Sequence, residues 1–294
     1  MNPESYANRY HSKPRRILRM AGKTINTLLK IGACIIFAFP YYWMIITSLK
    51  TYQESILDPP TLVPLQVTIE AYSKVIREVN LWHYVSNTLI ITITVIILQM
   101  LTTVPAAYAL SKYEYKGKGI SWALIMGARM VPTVLTFIPV YIVFSKFQWG
   151  TTPLLNTLLP QIIPFAASAF SIFLLRQNFM QVPDELLESA RLDGSSEWRI
   201  MWKIMLPMSK STMMTIVLFS FVSHWNAYFW PLVMTNRKQE WPISLAIATL
   251  KDLDVGIQWP QIMAGTFLMT LPVLILFIFA SKKIIAAMAY RGVK

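Results

Sequence analysis

The residues with the clearest potential for specific chemistry lie in Val182–Pro207, a polar segment between two long apolar runs. Pro183 suits the start of a helix, and the two acids after it place negative charge at the positive end of that helix. Gly194 favours the tight conformation that ends the helix, and Ser195 or Ser196 can cap a second one. The first helix has an apolar side made of four residues: Leu186, Leu187, Ala190 and Leu192. Such a helical hairpin fits a groove on a partner protein, although a hairpin lying on the membrane surface has the same pattern.

The chain offers no residues arranged for catalysis or for metal binding. Gly22-Lys23-Thr24 resembles the end of a phosphate-binding loop, but Ile17 occupies the position of the required earlier glycine. The histidines are too scattered to ligate one metal ion: His11, His83 and His224. Cys34 is the single cysteine, so there is no disulfide framework. We therefore expect a chain with no catalytic site, no metal site and no cofactor of its own.

Six long apolar runs dominate the 294-residue chain, which is 55% hydrophobic and 14% charged. Runs of about 18 or more apolar residues predict transmembrane helices, because hydrocarbon requires each segment to satisfy its own backbone hydrogen bonds. The predicted spans are residues 28–49, 84–109, 121–144, 158–175, 213–234 and 262–281. The expected fold class is an all-α membrane protein with a six-helix domain over 28–281, a polar segment over 1–27 and a tail over 282–294. Prolines in or beside several spans predict kinks.

The distribution of basic residues predicts which loops face the cytosol. The net charge is +13, and 18 of the 27 Lys and Arg residues fall on the inner side if the N-terminus is cytosolic, against 7 on the outer side. This bias places both termini in the cytosol. It also makes the loop 178–210 cytosolic and the loops 50–82 and 236–258 extracytoplasmic. The basic charge therefore reports topology and contact with anionic lipid, and nucleic-acid binding is not expected.

Polar residues near or within the spans are candidates for a solute path. A charged side chain is costly within a bilayer, so Arg129 is expected to face the bundle interior or a watery cavity, in a structural or a gating role. His224 and Asn226 either bond neighbouring helices or line a cavity. Tyr228 either stacks on a sugar ring or anchors the span at the membrane interface. Asn87, in the second span, completes this candidate translocation path.

The polar segment resembles the EAA loop of ABC-importer permeases, whose pattern is roughly E-A-A-x-x-D-G-A followed by I-x-L-P. The chain reads Glu188-Ser189-Ala190-Arg191-Leu192-Asp193-Gly194-Ser195 and then Ile204-Met205-Leu206-Pro207. Further similarity covers Tyr84–Thr88, Pro105–Lys118, Arg129–Pro132, Ile138–Tyr141, Phe173–Gly194 and Trp225–Leu232. The last of these resembles the W-N-x-(aromatic)-x-W-P-L segment of carbohydrate-importer permeases. The chain thus resembles the subfamily that includes the smaller maltose-importer permease.

The resemblance implies the fold of a type I ABC-importer permease and specific roles for its residues. Residues implied to couple the chain to an ATPase are Glu185, Glu188, Ser189, Ala190, Asp193, Gly194 and Ser195. Residues implied to contact an extracytoplasmic solute-binding protein are Trp241, Pro242, Asp252 and Asp254. The implied partners are a homologous second permease and two cytosolic ATPase subunits, which would hold ATP-Mg. Two serines replace alanines of the pattern, and both are small enough to preserve docking.

These features favour a permease subunit of a binding-protein-dependent importer for a sugar or oligosaccharide in a bacterial inner membrane. The same type of importer for a non-sugar or anionic solute, such as glycerol phosphate or a uronate oligosaccharide, is the nearest alternative. An ion-coupled secondary transporter would need acids within its spans, whereas all fourteen acids lie in polar segments. A membrane-embedded enzyme would need a nucleophile or a metal cluster, which the sequence does not offer.

Gly194→Asp or Glu188→Lys is expected to leave the protein inserted in the membrane but to uncouple transport from ATP hydrolysis. Either change alters the shape or the charge of the predicted docking helix and leaves the spans intact. Uptake and ATP hydrolysis measured together in reconstituted vesicles test this expectation. Wild-type transport by both variants would contradict a coupling role for the loop.

Overall fold

The computed structural model of this protein describes residues 12–78, 80–149, 152–250 and 256–291. Its secondary structure is helical apart from a short antiparallel ladder between β1 (Gln148–Trp149) and β2 (Thr152–Pro153). In chain order the helices are α1 Ser12–Ser48, α2 Tyr52–Ser55, α3 Glu70–Glu78, α4 Leu81–Lys112, α5 Lys118–Met130, α6 Thr133–Lys146, α7 Leu159–Ile162, α8 Ala169–Phe179, α9 Asp184–Leu192, α10 Glu197–Ile200, α11 Leu206–Met208, α12 Lys210–Trp225, α13 Phe229–Met234, α14 Ile243–Ala248 and α15 Trp259–Arg291. Short 3-10 turns cover Leu154–Asn156, Ile163–Phe165 and Lys238–Glu240, and a π-helical turn covers Met201–Met205.

The chain forms two compact units. One comprises the residues up to Tyr72 together with Trp259–Ala264, and the other comprises Ser73–Gln258 together with the chain from Gly265 onward. Within the second unit α4 is the central helix, because α7, α8, α12 and α14 all pack against it. The residues considered below as a functional site all belong to this second unit.

The predicted class, an all-α membrane protein, is confirmed. In the described part of the chain four helices are long and apolar enough to cross a membrane, and the number becomes six when each of two bent pairs counts as one span. The four are Gly22–Ser48, Leu81–Lys112, Leu159–Phe179 and Trp259–Phe279. The bent pairs are Lys118–Met130 with Thr133–Lys146, at 97°, and Glu197–Met208 with Lys210–Trp225, at 84°. The bends show that the apolar runs are not all straight helices.

The third predicted span is broken at Pro132, between α5 and α6. Proline has no N–H, so the carbonyl of Ala128 lacks its usual helical donor. The N–H of Val131 donates to that carbonyl instead, which forms a tighter turn with an N···O distance of 3.4 Å. Val131 itself is extended, as the ring of the following proline favours. A single proline thus divides one apolar run into two helices.

The fifth span, predicted over residues 213–234, is wrong as one continuous helix. Three residues separate α12 from α13. Pro231 explains the gap, because it offers no N–H to the carbonyl of Ala227 and its ring would clash with that carbonyl in a helix. Ser244, in the loop 236–258 that is predicted to be extracytoplasmic (the outer loop), donates its hydroxyl to the Ala227 carbonyl instead. The break is therefore stabilised by a contact from another segment.

The fourth span, predicted over residues 158–175, is also interrupted. It consists of α7, a 3-10 turn that contains Pro164, and α8. The side-chain amide of Gln99 on α4 donates to the carbonyl of Phe165 at 3.0 Å, and the hydroxyl of Thr102 donates to the next carbonyl at 2.8 Å. The central helix thereby satisfies the backbone groups that the interrupted helix leaves open.

In the first unit, Glu54 orders the loop that follows α1. Its side chain is buried, and its carboxylate accepts hydrogen bonds from the Thr61 hydroxyl at 2.7 Å and from the Leu65 N–H at 2.8 Å. Lys50, also buried, donates to the Thr61 carbonyl and lies over the ring of Trp43. Burial by itself raises the pKa of Glu54, but the hydrogen bonds and the charge of Lys50 outweigh it, so the pKa is lowered.

Glu54→Ala is expected to loosen this loop, because the Thr61 hydroxyl and the Leu65 N–H lose their acceptor. Hydrogen bonds to a charged group contribute roughly 1.5–3 kcal/mol each, so the local free energy of opening should fall by about that amount or more. Hydrogen–deuterium exchange over residues 50–66 measures the change, and Asp58→Ala, at an exposed acid of the same loop, is the matched control.

The same loop should depend on pH in one direction. A carboxylate whose pKa is lowered by folding stabilises fully above its unfolded value, here near 4.5, and this contribution is lost as the pH falls through the lower folded value. Protection over residues 50–66 should therefore persist at neutral pH and decline below about pH 4.5. Unchanged exchange in Glu54→Ala would contradict the role assigned to this carboxylate.

Candidate functional site

The segment predicted to dock on a partner forms a helical hairpin with a defined turn. The sequence predicts Pro183 at the first position of the helix. It is instead the N-cap residue, so α9 begins one residue later, at Asp184. At the other end the Ser195 N–H donates to the Ala190 carbonyl at 3.0 Å, and the Gly194 N–H donates to the Arg191 carbonyl at 2.9 Å. These two bonds form a Schellman motif. Gly194 has a φ of +77°, which residues with a side chain rarely adopt, asparagine and aspartate being the most frequent exceptions, so the turn favours glycine.

Charged side chains attach both ends of α9 to α4. Lys112, at the end of α4, donates to the carbonyl just before Pro183 at 2.6 Å and pairs with Asp184 at 2.7 Å. The hydrogen bond and the charge of Lys112 lower the pKa of Asp184. At the other end of α9, Arg191 pairs with Glu197 at 2.7 Å, and the hydroxyl of Tyr108 on α4 donates to Glu197 at 2.6 Å. The hairpin is thus fixed to the central helix.

A hydrophobic cluster fixes the inner side of the hairpin. It contains Leu187 and Ala190 of α9, and around them side chains of α4, α8, α10 and α12: Val104, Phe179, Ile200 and Ile216. The methyl group of Ala190 therefore packs against the chain's own core and not on the outer surface. The apolar side predicted for α9 is narrower than expected, because Leu186 and Leu192 are exposed.

The outer side of the hairpin combines acids with exposed apolar side chains. Of the predicted coupling residues, Ser195 is half-buried and five are exposed: Glu185, Glu188, Ser189, Asp193 and Gly194. Leu192 is 88% exposed and Trp198 of α10 is 64% exposed. Exposed large apolar residues beside charges are typical of a surface that binds protein. Sequence reasoning did not place these two residues on this surface, because helical spacing assigned Leu192 to the apolar side of the helix and Trp198 was not singled out.

A cavity of about 330 Å³ lies where α12 breaks. Five of the residues that line it are aromatic: Phe137, Phe165, Tyr228, Phe229 and Trp230. The rings meet edge to face, with centroids 5.6 Å apart for Phe137 and Phe229 and 5.1 Å apart for Phe165 and Trp230. The polar side chains in the wall are Thr133, Gln161, Ser223, His224 and the hydroxyl of Tyr228. Apolar walls with a few convergent polar groups are typical of a small-molecule site.

His224 lies in the wall between this first cavity and a second one of about 300 Å³. Its Nδ1 lies 2.7 Å from the carbonyl of Ser220 and therefore carries the proton that it donates. The ring meets Phe165 edge to face at 5.1 Å. His224 thus lines both cavities and bonds to its own helix, whereas the sequence left helix bonding and cavity lining as alternatives.

The remaining residues of the predicted path do not line the first cavity. Asn226 follows the last turn of α12, where its amide donates to the carbonyl of Val222 at 3.0 Å. Arg129 is exposed on the surface of this chain, and its guanidinium lies 5.1 Å from the ring centre of Phe170 and 5.4 Å from that of Phe173. The structure therefore brings His224 and Tyr228 together and leaves Asn226 and Arg129 apart from them.

Asn87 holds the outer loop in place. Its amide nitrogen donates to the carbonyls of Gln239 at 2.7 Å and Trp241 at 3.0 Å. The loop then enters α14, in which Ile243–Ile247 are all buried, and its first N–H donates to the hydroxyl of Thr88 at 2.8 Å. The loop predicted as extracytoplasmic thus folds back against α4 over much of its length.

Of the four residues predicted to contact a binding protein, the two that the structure describes are withdrawn from the surface. Trp241 is half-buried, and Pro242 is buried and lines the first cavity. Asp252 and Asp254 lie outside the described residues. Among the described residues of this loop, Asn236–Gln239 form a continuous exposed stretch, which sequence reasoning did not single out, and Thr249 is exposed as well.

Asn87→Leu is expected to release this loop, because the Trp241 carbonyl loses its donor at a cost of roughly 1–3 kcal/mol. The Gln239 carbonyl loses one of its two contacts and keeps the one to Nε2 of His83 at 2.6 Å. A cysteine at Glu240, which is half-buried, should then react with a maleimide about ten-fold faster, since a factor of ten corresponds to about 1.4 kcal/mol. The measurement uses a Cys34→Ser background. Ser86→Ala is the matched control, since that hydroxyl bonds only within its own helix, to His83. Equal labelling of all three proteins would contradict the role of Asn87.

Known proteins resemble this chain over most of its length. Residues 104–287 match the family described as binding-protein-dependent transport system inner membrane component. The arabinooligosaccharides transport system permease protein AraQ of Halalkalibacterium halodurans is 28% identical over 282 residues, which cover 94% of this chain and 99% of that protein. The diacetylchitobiose uptake system permease protein NgcG of Streptomyces coelicolor is 27% identical over 263 residues, which cover 88% of this chain and 85% of that protein.

The fold also resembles that of a solved structure, a bacterial ABC transporter involved in the import of the acidic polysaccharide alginate. The TM-score is 0.77 at 23% identity, over 90% of this chain and 96% of that one. The predicted resemblance to ABC-importer permeases is therefore confirmed. The residues matched by the family include the hairpin and the breaks in the fourth and fifth spans, which lie beside the first cavity. The chain belongs to the family of binding-protein-dependent transport system inner membrane components.

Proposed function

We propose that this chain is a permease subunit of an ABC importer for a sugar or oligosaccharide and that α9 couples it to a cytosolic ATPase. The observation that carries the coupling role is the two-sided hairpin. Its inner side is packed into the membrane helices through Leu187, while its outer side presents Glu188 and the exposed Leu192. A surface of this kind is suited to receive force from a partner and pass it to the helices.

The packing of the hairpin explains how a pull on it reaches the membrane. Leu187 and Ala190 share one hydrophobic cluster with α4, α8 and α12, and close-packed interiors transmit displacement instead of absorbing it. A partner that draws α9 toward itself would therefore move these three helices together. ATP-Mg binding and hydrolysis take place on two partner ATPase subunits, and this chain has no catalytic site of its own. The chain and a homologous second permease together form the path, which opens alternately to the two sides.

The proposal places the hairpin and both termini in the cytosol of a bacterium, with the chain in the inner membrane. The excess of Lys and Arg on that side, 18 against 7, supports this orientation. The loop 50–82 and the loop 236–258 then face outward. The exposed residues Asn236–Gln239 are then available to a solute-binding protein. Trp241 and Pro242, which are half-buried and buried, respectively, support this stretch from the interior of the chain. Asp252 and Asp254 remain predicted contacts.

The solute class is proposed from the relatives and from the cavity. AraQ and NgcG are named for oligosaccharides, and aromatic walls with few polar groups suit a sugar. His224 and Tyr228 line the path directly, while Asn87 and Asn226 position the backbone around it. An anionic solute is the second candidate, because Arg129 is an exposed cation within a membrane span and the similar solved structure belongs to an importer of an acidic polysaccharide.

Gly194→Asn tests the coupling role with only mild strain in the turn. Asparagine tolerates a positive φ, and in the described part of the chain no atom lies within 4 Å of a Cβ at this position. The variant should therefore insert normally, while the new side chain projects into any partner docked there. We expect at least ten-fold less ATPase subunit to co-purify in mild detergent and ATP-dependent uptake to fall in proportion.

Gly117→Asn is the matched control, because Gly117 has the same requirement, a φ of +90° with open space around it, in the turn before α5. This control should retain the ATPase and the uptake. Full ATPase recovery with Gly194→Asn would reject α9 as the docking element. Uptake driven by an ion gradient in the purified chain without any ATPase would reject the importer itself in favour of a secondary transporter.

A further inference from the structure

One polar group in the first cavity has no partner. The side chain of Gln161 is 3% exposed, and its amide nitrogen donates to the carbonyl of Glu240 at 3.0 Å and contacts the Thr235 hydroxyl at 3.4 Å. Because the nitrogen must face the Glu240 carbonyl, the Oε1 atom points the other way. There it has no hydrogen-bond partner among the residues that the structure describes. Buried acceptors are almost always paired in folded proteins, so this oxygen is available to a donor from outside the chain.

The aromatic residues around Gln161 indicate which other groups a bound molecule would need. Aromatic faces carry partial negative charge and attract the C–H groups that cover the faces of a sugar ring. Phe229 is exposed, and Trp230 is fixed by its Nε1–H bond to the carbonyl of Pro160 at 2.9 Å. A wholly apolar ligand would leave Oε1 of Gln161 unpaired, whereas a ring with hydroxyls at its edge and C–H groups on its faces satisfies both kinds of surface.

The charge and the volume of the cavity restrict the class of ligand further. Within the described part of the chain the residues that line this cavity include no Lys, Arg, Asp or Glu. An anionic group would therefore meet the unpaired oxygen of Gln161 without a counter-charge, which is unfavourable in a site of low polarity. The volume of about 330 Å³ is at the lower end of the range of about 300–1,000 Å³ typical of small-molecule sites. This volume suits a single ring and not a chain of several.

We propose that the cavity at the break of α12 binds one uncharged pentose or hexose ring, so that this chain itself contacts the solute. A ring hydroxyl donates to Oε1 of Gln161, and the ring face lies against the aromatic wall. The proton on Nδ1 of His224 leaves Nε2 as a second acceptor in the wall shared by the two cavities. The inference rests on the proposed import function and assigns part of the sugar recognition to this subunit.

Val134 gives a way to fill the cavity without disturbing the core. It lines the cavity at its open side and is 65% exposed, so a larger side chain there has room to be accommodated. Leu135, the next residue of α6, is 67% exposed and does not line the cavity. Val134→Trp and Leu135→Trp therefore introduce the same side chain into the same helix, and only the first obstructs the proposed site.

The test measures binding by saturation-transfer difference NMR on the permease–ATPase complex in lipid nanodiscs, without the solute-binding protein. The probes are the methyl glycosides of xylose, arabinose, glucose and N-acetylglucosamine, with methyl glucuronide as the charged comparison. At least one neutral glycoside should bind equally to the wild type and to Leu135→Trp. Val134→Trp should weaken that binding at least ten-fold, Gln161→Leu should weaken it as well, and the glucuronide should bind at least ten-fold more weakly.

Three results would overturn the site: no neutral glycoside binds, Val134→Trp binds like the wild type, or the glucuronide binds as tightly as the neutral probes. These outcomes are distinct from failure of the proposed function, which is judged by ATP-dependent uptake with the binding protein present. If the complex couples ATP hydrolysis to uptake but glycoside binding does not depend on Val134, the proposed import function stands and the proposed sugar site is rejected. If glycoside binding depends on Val134 but the complex does not respond to ATP, the proposed sugar site stands and the proposed import function is rejected.

Discussion

Each break in a membrane helix exposes backbone carbonyls that hydrocarbon cannot solvate, and much of the second unit is arranged to pair them. Pro231 leaves the Ala227 carbonyl without a helical donor, and Ser244 supplies one from the outer loop. Gln99 and the next turn of α4 supply donors to the interrupted fourth span. Trp230 donates across to the carbonyl of Pro160. The interruptions of the fourth and fifth spans therefore each tie two separate segments together, and the first cavity lies where α12 ends beside these ties.

The two ends of the second unit differ in mechanical character. At the hairpin end, α9 is held by ion pairs at Lys112 and Arg191 and by a continuous hydrophobic cluster. At the cavity end, α7 and α13 are short, and turns whose carbonyls bond to side chains separate α7 from α8 and α12 from α13. Motion imposed on the packed end would be taken up at the turns, because turns change dihedral angles at lower cost than packed helices separate. The cavity would then change shape as the hairpin moves.

The sequence predicted what depends on composition and on local signals. Apolar run length predicted the membrane helices, and Pro183 and Gly194 predicted the hairpin to within one residue. It did not predict where the spans break, because a proline can either kink a helix or end it, and the choice depends on whether a donor such as Ser244 is close in space. The exposure of Leu192 and the capture of the outer loop by Asn87 depend in the same way on contacts between distant segments.

Arg129 shows that this chain is completed by another surface. Its guanidinium rests on the rings of Phe170 and Phe173, and ring faces attract a cation without neutralising its charge. Exposing a guanidinium group to the hydrocarbon of the bilayer costs free energy. The face of the chain that carries Arg129 must therefore be covered by water or by another protein. Val134, on the helix that follows, is exposed as well and lines the first cavity. An apolar surface interrupted by one cation and by the mouth of a cavity suits the wall of a shared path, in which a second permease supplies the opposite side.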